Sequence, residues 1–149
     1  MALESTLARA GDLARHFEGC RLTAYKCPAG YWTIGWGHLL SINPHANFDG
    51  MTITQEQADA WLEEDLTKAA KQTLALVKVP LTDNQLAALT DFVFNLGPVN
   101  FKTSTLRQVV NEGRHDQVPA QLARWVYSRG VKLPGLVRRR EAEKELYLS

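Results

Sequence analysis

Residues 18–40, EGCRLTAYKCPAGYWTIGWGHLL, break the helical texture on either side of them. Glu18 precedes Gly19, a residue that ends a helix because it enters the left-handed backbone region without steric cost. Two β-favouring runs follow, LTAYK at 22–26 and YWTIGWGH at 31–38. Between them stands Cys27-Pro28-Ala29-Gly30, with Pro second and Gly fourth as a type I turn prefers, so the spacing predicts a β-hairpin. Alternation on the second strand sends Trp32, Ile34 and Trp36 to one face and Tyr31, Thr33 and Gly35 to the other, and the aromatic face is the one expected to be buried. Gly35 and Gly37 are expected to let the strand bend or be closely approached.

Helical patterns flank this segment. Upstream, Leu7, Ala10, Leu13, Ala14 and Phe17 recur at helical spacing over residues 5–18, with Ser5 as the expected N-cap. Downstream, SINPHANFDG at 41–50 is rich in turn formers and reads as a surface loop or an irregular third strand. Thr54-Gln55-Glu56-Gln57 has capping-box form and opens an apolar stripe from Ala58 through Trp61, Leu62, Leu66, Ala69, Ala70 and Leu74 to Val77. A helix over 54–78 would be about 37 Å long, enough to bridge two lobes. Thr82-Asp83-Asn84-Gln85 repeats the capping signal before Leu86, Leu89, Phe92, Val93 and Leu96, and Gly97-Pro98 stops that helix. Shorter helices are expected near 103–112 and 116–126, and a last one beside Pro134, with Arg139 and Glu143 four apart on its polar side. Strands confined to about 22–50 and helices elsewhere make the class α+β: a sheet lobe over about 19–53, a helical lobe of 1–18 plus 80–149, and a connecting helix. A cleft between lobes is the expected site.

The 149 residues supply about one domain, and 17 Lys and Arg against 16 Asp and Glu exclude a nucleic-acid binder held by bulk charge. Two Cys build no disulfide framework, and no Cys/His quartet has the spacing of a structural zinc site, so the fold is expected to rest on its apolar core; no metal or organic cofactor is expected. The N-terminal stretch is interrupted by Glu4, Arg9, Asp12 and Arg15, unlike a signal peptide, and no run reaches the roughly 18 apolar residues of a span. A cytoplasmic protein without membrane insertion is the expectation.

Glu18, the Tyr25/Cys27 pair on one strand face, and Thr33 on the non-aromatic face of the partner strand can converge. At these positions the chain resembles the phage-type lysozymes of glycoside hydrolase family 24. That family's pattern is a Glu, eight residues, an Asp or Cys, five residues and a Thr, met here by Glu18, Cys27 and Thr33. DFVFNLG at 91–97 and PGLVRRREAEKELY at 134–147 are similar to later family segments. The resemblance implies hydrolysis of the β-1,4 bond between N-acetylmuramic acid and N-acetylglucosamine in peptidoglycan, with inversion, and release to the wall after a separate protein permeabilises the membrane. Such chemistry needs a proton donor to the leaving oxygen and a water on the opposite sugar face. Glu18 would be the acid, kept protonated by partial desolvation, and Thr33 would orient the water. Cys27 leaves the mechanism open: a thiolate could attack the sugar or stabilise positive charge, whereas a neutral thiol would only position water.

The resemblance also implies a pairing of His38 with Asp65 and a cleft lined by Leu39, Phe94, Asn95 and Ser104, with Thr105 as the alternative to Ser104. Cys20 reads as a small apolar filler, and a Cys20–Cys27 bridge would tie up the site thiol. Trp32, Trp36, Trp61 and Trp125 read as core. Arg138-Arg139-Arg140 is either a solvated, salt-bridged helix face or supplies one arginine to Glu18 or substrate. The competing activities are a lytic transglycosylase, which leaves anhydro ends on the same bond, and a non-catalytic wall-binding module. A monomer suits an enzyme that must enter a polymer mesh.

Overall fold

A computed structural model describes residues 3–149, so the first two residues of the N-terminal stretch lie outside it. Helix α1 spans Glu4–Glu18. Its first turn closes with the Leu7 amide donating to the Leu3 carbonyl, so Ser5 lies inside the helix rather than capping it. At its other end Gly19, at φ 66°, takes the chain out of the helix immediately after Glu18.

The chain divides into two compact units, Ala14–Asp65 and Leu66–Ser149 together with the N-terminal part of α1. In the first, strands β1 (Arg21–Lys26), β2 (Trp32–Gly35) and β3 (His38–Ser41) form an antiparallel sheet in that order. The predicted hairpin is present: Gly30 N donates to Cys27 O at 2.8 Å and Cys27 N to Tyr31 O at 2.9 Å. The third strand begins earlier than expected, because Gly35 and Gly37, at φ 66° and 76°, turn the chain around Trp36. Trp36 therefore belongs to a turn, not to the face of Trp32 and Ile34. Nor is only the aromatic face covered, since Thr33 and Gly35 are buried beside Ile34. Residues 43–50 form a loop with side-chain-to-backbone turns at Asn43 and Asn47, after which Ala24 N–Met51 O and Ile53 N–Leu22 O bonds, each 2.9 Å, return the chain to the free edge of β1.

Helix α2 (Gln55–Leu76) starts where Thr54 Oγ1 accepts from Gln57 N at 3.1 Å. Its 22 residues rise about 33 Å. In the second unit α3 (Asp83–Leu96) carries the full capping box of Thr82 and Gln85 and ends at Gly97, as its sequence predicts. Beyond it lie α4 (Pro98–Lys102), α5 (Thr105–Asn111), a short 3₁₀ turn at His115–Gln117, α6 (Val118–Leu122), strands β4 (Tyr127–Ser128) and β5 (Val131–Lys132), and α7 (Pro134–Leu148). The sequence reading omits α4, and strands are not confined to residues 22–50, since β4 and β5 form a second, two-stranded sheet. Phe92, Phe101, Leu89, Leu106, Val110 and Leu122 are all sealed at 0–1% exposure in one core. Burial of each side chain that large is worth on the order of 1.5–3 kcal/mol. The fold class is α+β.

Candidate active site

Glu18 is placed by backbone geometry against the β2–β3 turn. It is the last residue of α1 and half-buried. Its carboxyl packs on the backbone of Gly37, where an added Cβ would fall 2.5 Å from Oε1 and 3.0 Å from Cδ. Only glycine leaves that space, and its φ of 76° is one that L side chains rarely adopt. The β2–β3 turn therefore doubles as the seat for the acid, a role the sequence shows only as a G-x-G spacing.

Strand register builds the rest of this unit's site. Tyr25 and Leu39 are the cross-strand partners of Thr33 in β1 and β3, so the three form one row across the sheet. Thr33 is 5% exposed and Leu39 47%. The Thr33 hydroxyl donates to the Tyr31 carbonyl at 3.0 Å and also reaches the Cys27 sulfur, and its single proton can serve one of these acceptors at a time. Burial pushes the Cys27 thiol up, but the backbone N–H groups of Tyr31, Ala29 and Gly30 and the Thr33 hydroxyl donate to its sulfur and bring it below the usual thiol range. The turn thus wraps the sulfur in donors, which favours the thiolate. Burial and the charge of Glu18 raise the Tyr25 phenol, while the Arg21 guanidinium, 4.4 Å from the ring centroid, works against them. Tyr25 stays a neutral donor near neutral pH.

His38 is set apart from this row. Its Nδ1 lies 2.7 Å from Asp65 Oδ2 and its ring stacks on Trp61 at 4.5 Å, so it ties β3 to α2 in the predicted pairing. Trp32 and Trp36 are half-buried and donate their indole N–H groups to Ala46 O and Asp59 Oδ1, both at 2.8 Å. Both cysteines are free, and Cys20 is no apolar filler: its sulfur contacts the Gln55 amide at 3.6 and 3.8 Å.

Phe94, Asn95 and Ser104 belong to the other unit. Phe94 is partly buried against the core, with the Arg139 guanidinium 6.0 Å from its ring centroid. Ser104 caps α5, accepting from Arg107 N at 3.0 Å and donating to Phe101 O at 2.7 Å, which leaves its hydroxyl one acceptor lone pair. Thr105, the alternative, is exposed. Asn95 Oδ1 accepts from Arg140 Nη2 at 2.7 Å, so the amide nitrogen is turned the other way.

The arginine run is not one solvated helix face. Arg138 is exposed, but Arg139 and Arg140 are 4% and 2% exposed. Arg139 forks onto Asp91 with bonds of 2.9 and 2.8 Å, and Arg140 contacts Glu143 at 2.7 and 3.0 Å. Glu143, expected on a polar face, is fully buried. Burial and the hydrogen bond to Asp91 push its carboxyl well up, against the pull of both arginines. Burial also raises Asp91, but the Glu143 hydrogen bond and the two guanidiniums outweigh it and hold that carboxyl below its usual range. The two carboxyls are thus shifted in opposite directions, Glu143 upward and Asp91 downward. Asp91 was the missing signal, 48 residues away from Arg139 in sequence.

Among the described residues, no cluster of three His, Cys, Asp or Glu side chains is placed to hold a metal ion, and no helix is long and apolar enough to cross a membrane.

Residues 15–143 match the phage lysozyme family. The chain is 43% identical over 141 residues to an endolysin of Acyrthosiphon pisum secondary endosymbiont phage 1, covering 92% of this chain and 93% of the relative. Among solved structures, it resembles the muramidase domain of SpmX from Asticaccaulis excentricus with a TM-score of 0.83 and 38% identity, over 95% of each chain. An endolysin from Escherichia coli O157:H7 phage FAHEc1 superposes with a TM-score of 0.83 at 32% identity, over 100% of this chain and 94% of that one. Fold and relatives together define a glycoside hydrolase of the peptidoglycan-cleaving, muramidase class. The chain belongs to the phage lysozyme family.

Proposed function

We propose that Glu18 is the acid of this muramidase, protonating the oxygen of the β-1,4 bond between N-acetylmuramic acid and N-acetylglucosamine as it leaves. The observation that carries this reading is the seat of Glu18 on Gly37, one turn away from the strand that bears Thr33. Thr33 holds the attacking water, and the donor-wrapped Cys27 sulfur places partial negative charge where the oxocarbenium-like sugar and the water need it. Water then adds from the face opposite the leaving group, with inversion. Leu39, Phe94, Asn95 and Ser104 contact the saccharide, Leu39 and Phe94 through apolar surface and the other two through polar atoms. The protein acts as a monomer of one lysozyme domain, needs no cofactor, and accumulates in the host cytoplasm until the membrane is permeabilised.

Glu18→Gln tests the acid. The variant keeps the size and the hydrogen-bonding reach of the side chain but has no carboxyl proton, so clearing of purified sacculi should fall about 10²–10⁴-fold with glycan binding and thermal midpoint unchanged. Clearing at the wild-type rate would remove Glu18 from the mechanism.

A further inference from the structure

The β4–β5 hairpin and the start of α7 carry none of the residues assigned above to acid, water or saccharide contacts. Residues 117–140 hold six Lys and Arg and no Asp or Glu, leaving eleven basic against sixteen acidic residues in the rest of the chain. Two of the six, Arg139 and Arg140, are buried with Asp91 and Glu143. The other four, Arg124, Arg129, Lys132 and Arg138, are exposed. Among them stand Tyr127 and Val131, each 59% exposed, and Leu133 and Val137, 38% and 37%. Lys132, Pro134, Val137 and Arg138 line an open groove of about 380 Å³.

The tip of the hairpin adds an independent observation. Arg129 and Gly130 form its two-residue turn at φ 50° and 78°. Arg129 is the one non-glycine with positive φ among the described residues. Such a turn takes Asn or Gly at the first position without strain, yet here it holds a cation outward.

We propose that this hairpin is a peripheral docking surface for an anionic phospholipid bilayer. Four exposed cations match a surface of lipid phosphates, whose negative potential attracts juxtaposed Lys and Arg. The aliphatic side chains decide between polymers: Val131, Leu133 and Val137 gain little from a polar glycan or a nucleic-acid backbone, but they gain by entering the boundary between headgroups and acyl chains. Tyr127, opposite Lys132 across the ribbon, has the amphipathic ring that suits that depth. The attachment lies on the bilayer rather than across it, and is weakened by salt.

Sedimentation of the full chain with vesicles tests the surface. Binding should be present with vesicles containing phosphatidylglycerol, absent with phosphatidylcholine alone, and lost at high salt. Arg129→Gly should weaken it about fivefold, the worth of one basic residue at such a surface, while raising the thermal midpoint because the strain at the tip is gone. Val131→Asp should weaken it further, and both variants should clear purified sacculi at the wild-type rate. Equal binding to neutral and anionic vesicles, binding to neither, or Arg129→Gly binding as the wild type would each overturn the proposal. Retention on sacculi, measured in the Glu18→Gln background, provides the other arm: if Arg129→Gly weakens that retention and spares vesicle binding, the wall polymer is the partner and the lipid proposal fails.

Discussion

Ionisable groups in the sheet unit sit half-exposed on a helix end and a turn, whereas those between α3 and α7 are sealed at 0–4% exposure. Backbone groups approach both Glu18 and Cys27: the Gly37 turn lies against one, and N–H groups of the 29–31 turn lower the other's pKa. Asp91, Arg139, Arg140 and Glu143 are held by one another. The difference teaches what each set can do. A buried charge that gains or loses a proton strands its partners without solvent, so the α3–α7 cluster is suited to fixing structure. The Glu18 carboxyl, half-exposed at the end of a helix, keeps access to solvent.

The largest contrast lies within the buried cluster. Asp91→Asn leaves two guanidiniums sharing too little negative charge and should cost about 3–5 kcal/mol in urea unfolding. Glu143→Gln, at the carboxyl that burial pushes up, should cost about 1 kcal/mol or less. The pH dependence separates them further. Asp91, held low, contributes stability above the ordinary aspartate range that is lost as pH falls. Glu143, raised, contributes stability below the ordinary glutamate range that is lost as pH climbs through its own higher value. Thermal midpoints across pH should therefore show Glu143→Gln without the loss on the rising side and with the acid side intact. Equal costs for the two substitutions would contradict the opposite shifts of the two carboxyls.

The sheet unit should respond through activity more than through stability. Gly37→Ala meets both a positive φ and the Glu18 carboxyl. We expect a stability loss of about 1–2 kcal/mol and a fall in sacculus clearing of about 10²-fold, the scale of a 1 Å misplacement of a reacting group. A smaller effect should follow at the sulfur. Thr33→Val removes one donor to Cys27, so the pH midpoint of Cys27 alkylation, measured in a Cys20→Ser background, should rise from its depressed position while remaining below that of an unfolded control. An unmoved midpoint would show that the backbone donors alone set the thiol.

Local signals carried most of the fold. The Thr82–Gln85 capping box, the Gly97-Pro98 stop, the Cys27–Gly30 turn and Gly19 after Glu18 act within a few residues and are present as read. The omissions needed tertiary information. A strand of two residues such as β4 has no period to detect. Nothing near Arg139 and Glu143 shows that their face of α7 is turned inward, because the partner that permits their burial lies on α3. At the candidate site, the intervals joining Glu18, Cys27 and Thr33 were legible through family resemblance, and the His38–Asp65 contact with them. The close approach of Glu18 to Gly37 and the ring of donors around the Cys27 sulfur were not, since both depend on backbone dihedrals rather than on residue type.

The most direct test of the acid-and-water mechanism is proton NMR of freshly cleaved glycan, read before the new ends equilibrate. Protonation by Glu18 with water entering from the opposite face predicts the α-anomer as the first product of a β-linked bond. A β-anomer formed first would point to a covalent intermediate on Cys27, and anhydro ends with no reducing anomer would mean that no water enters at all; either result contradicts the mechanism.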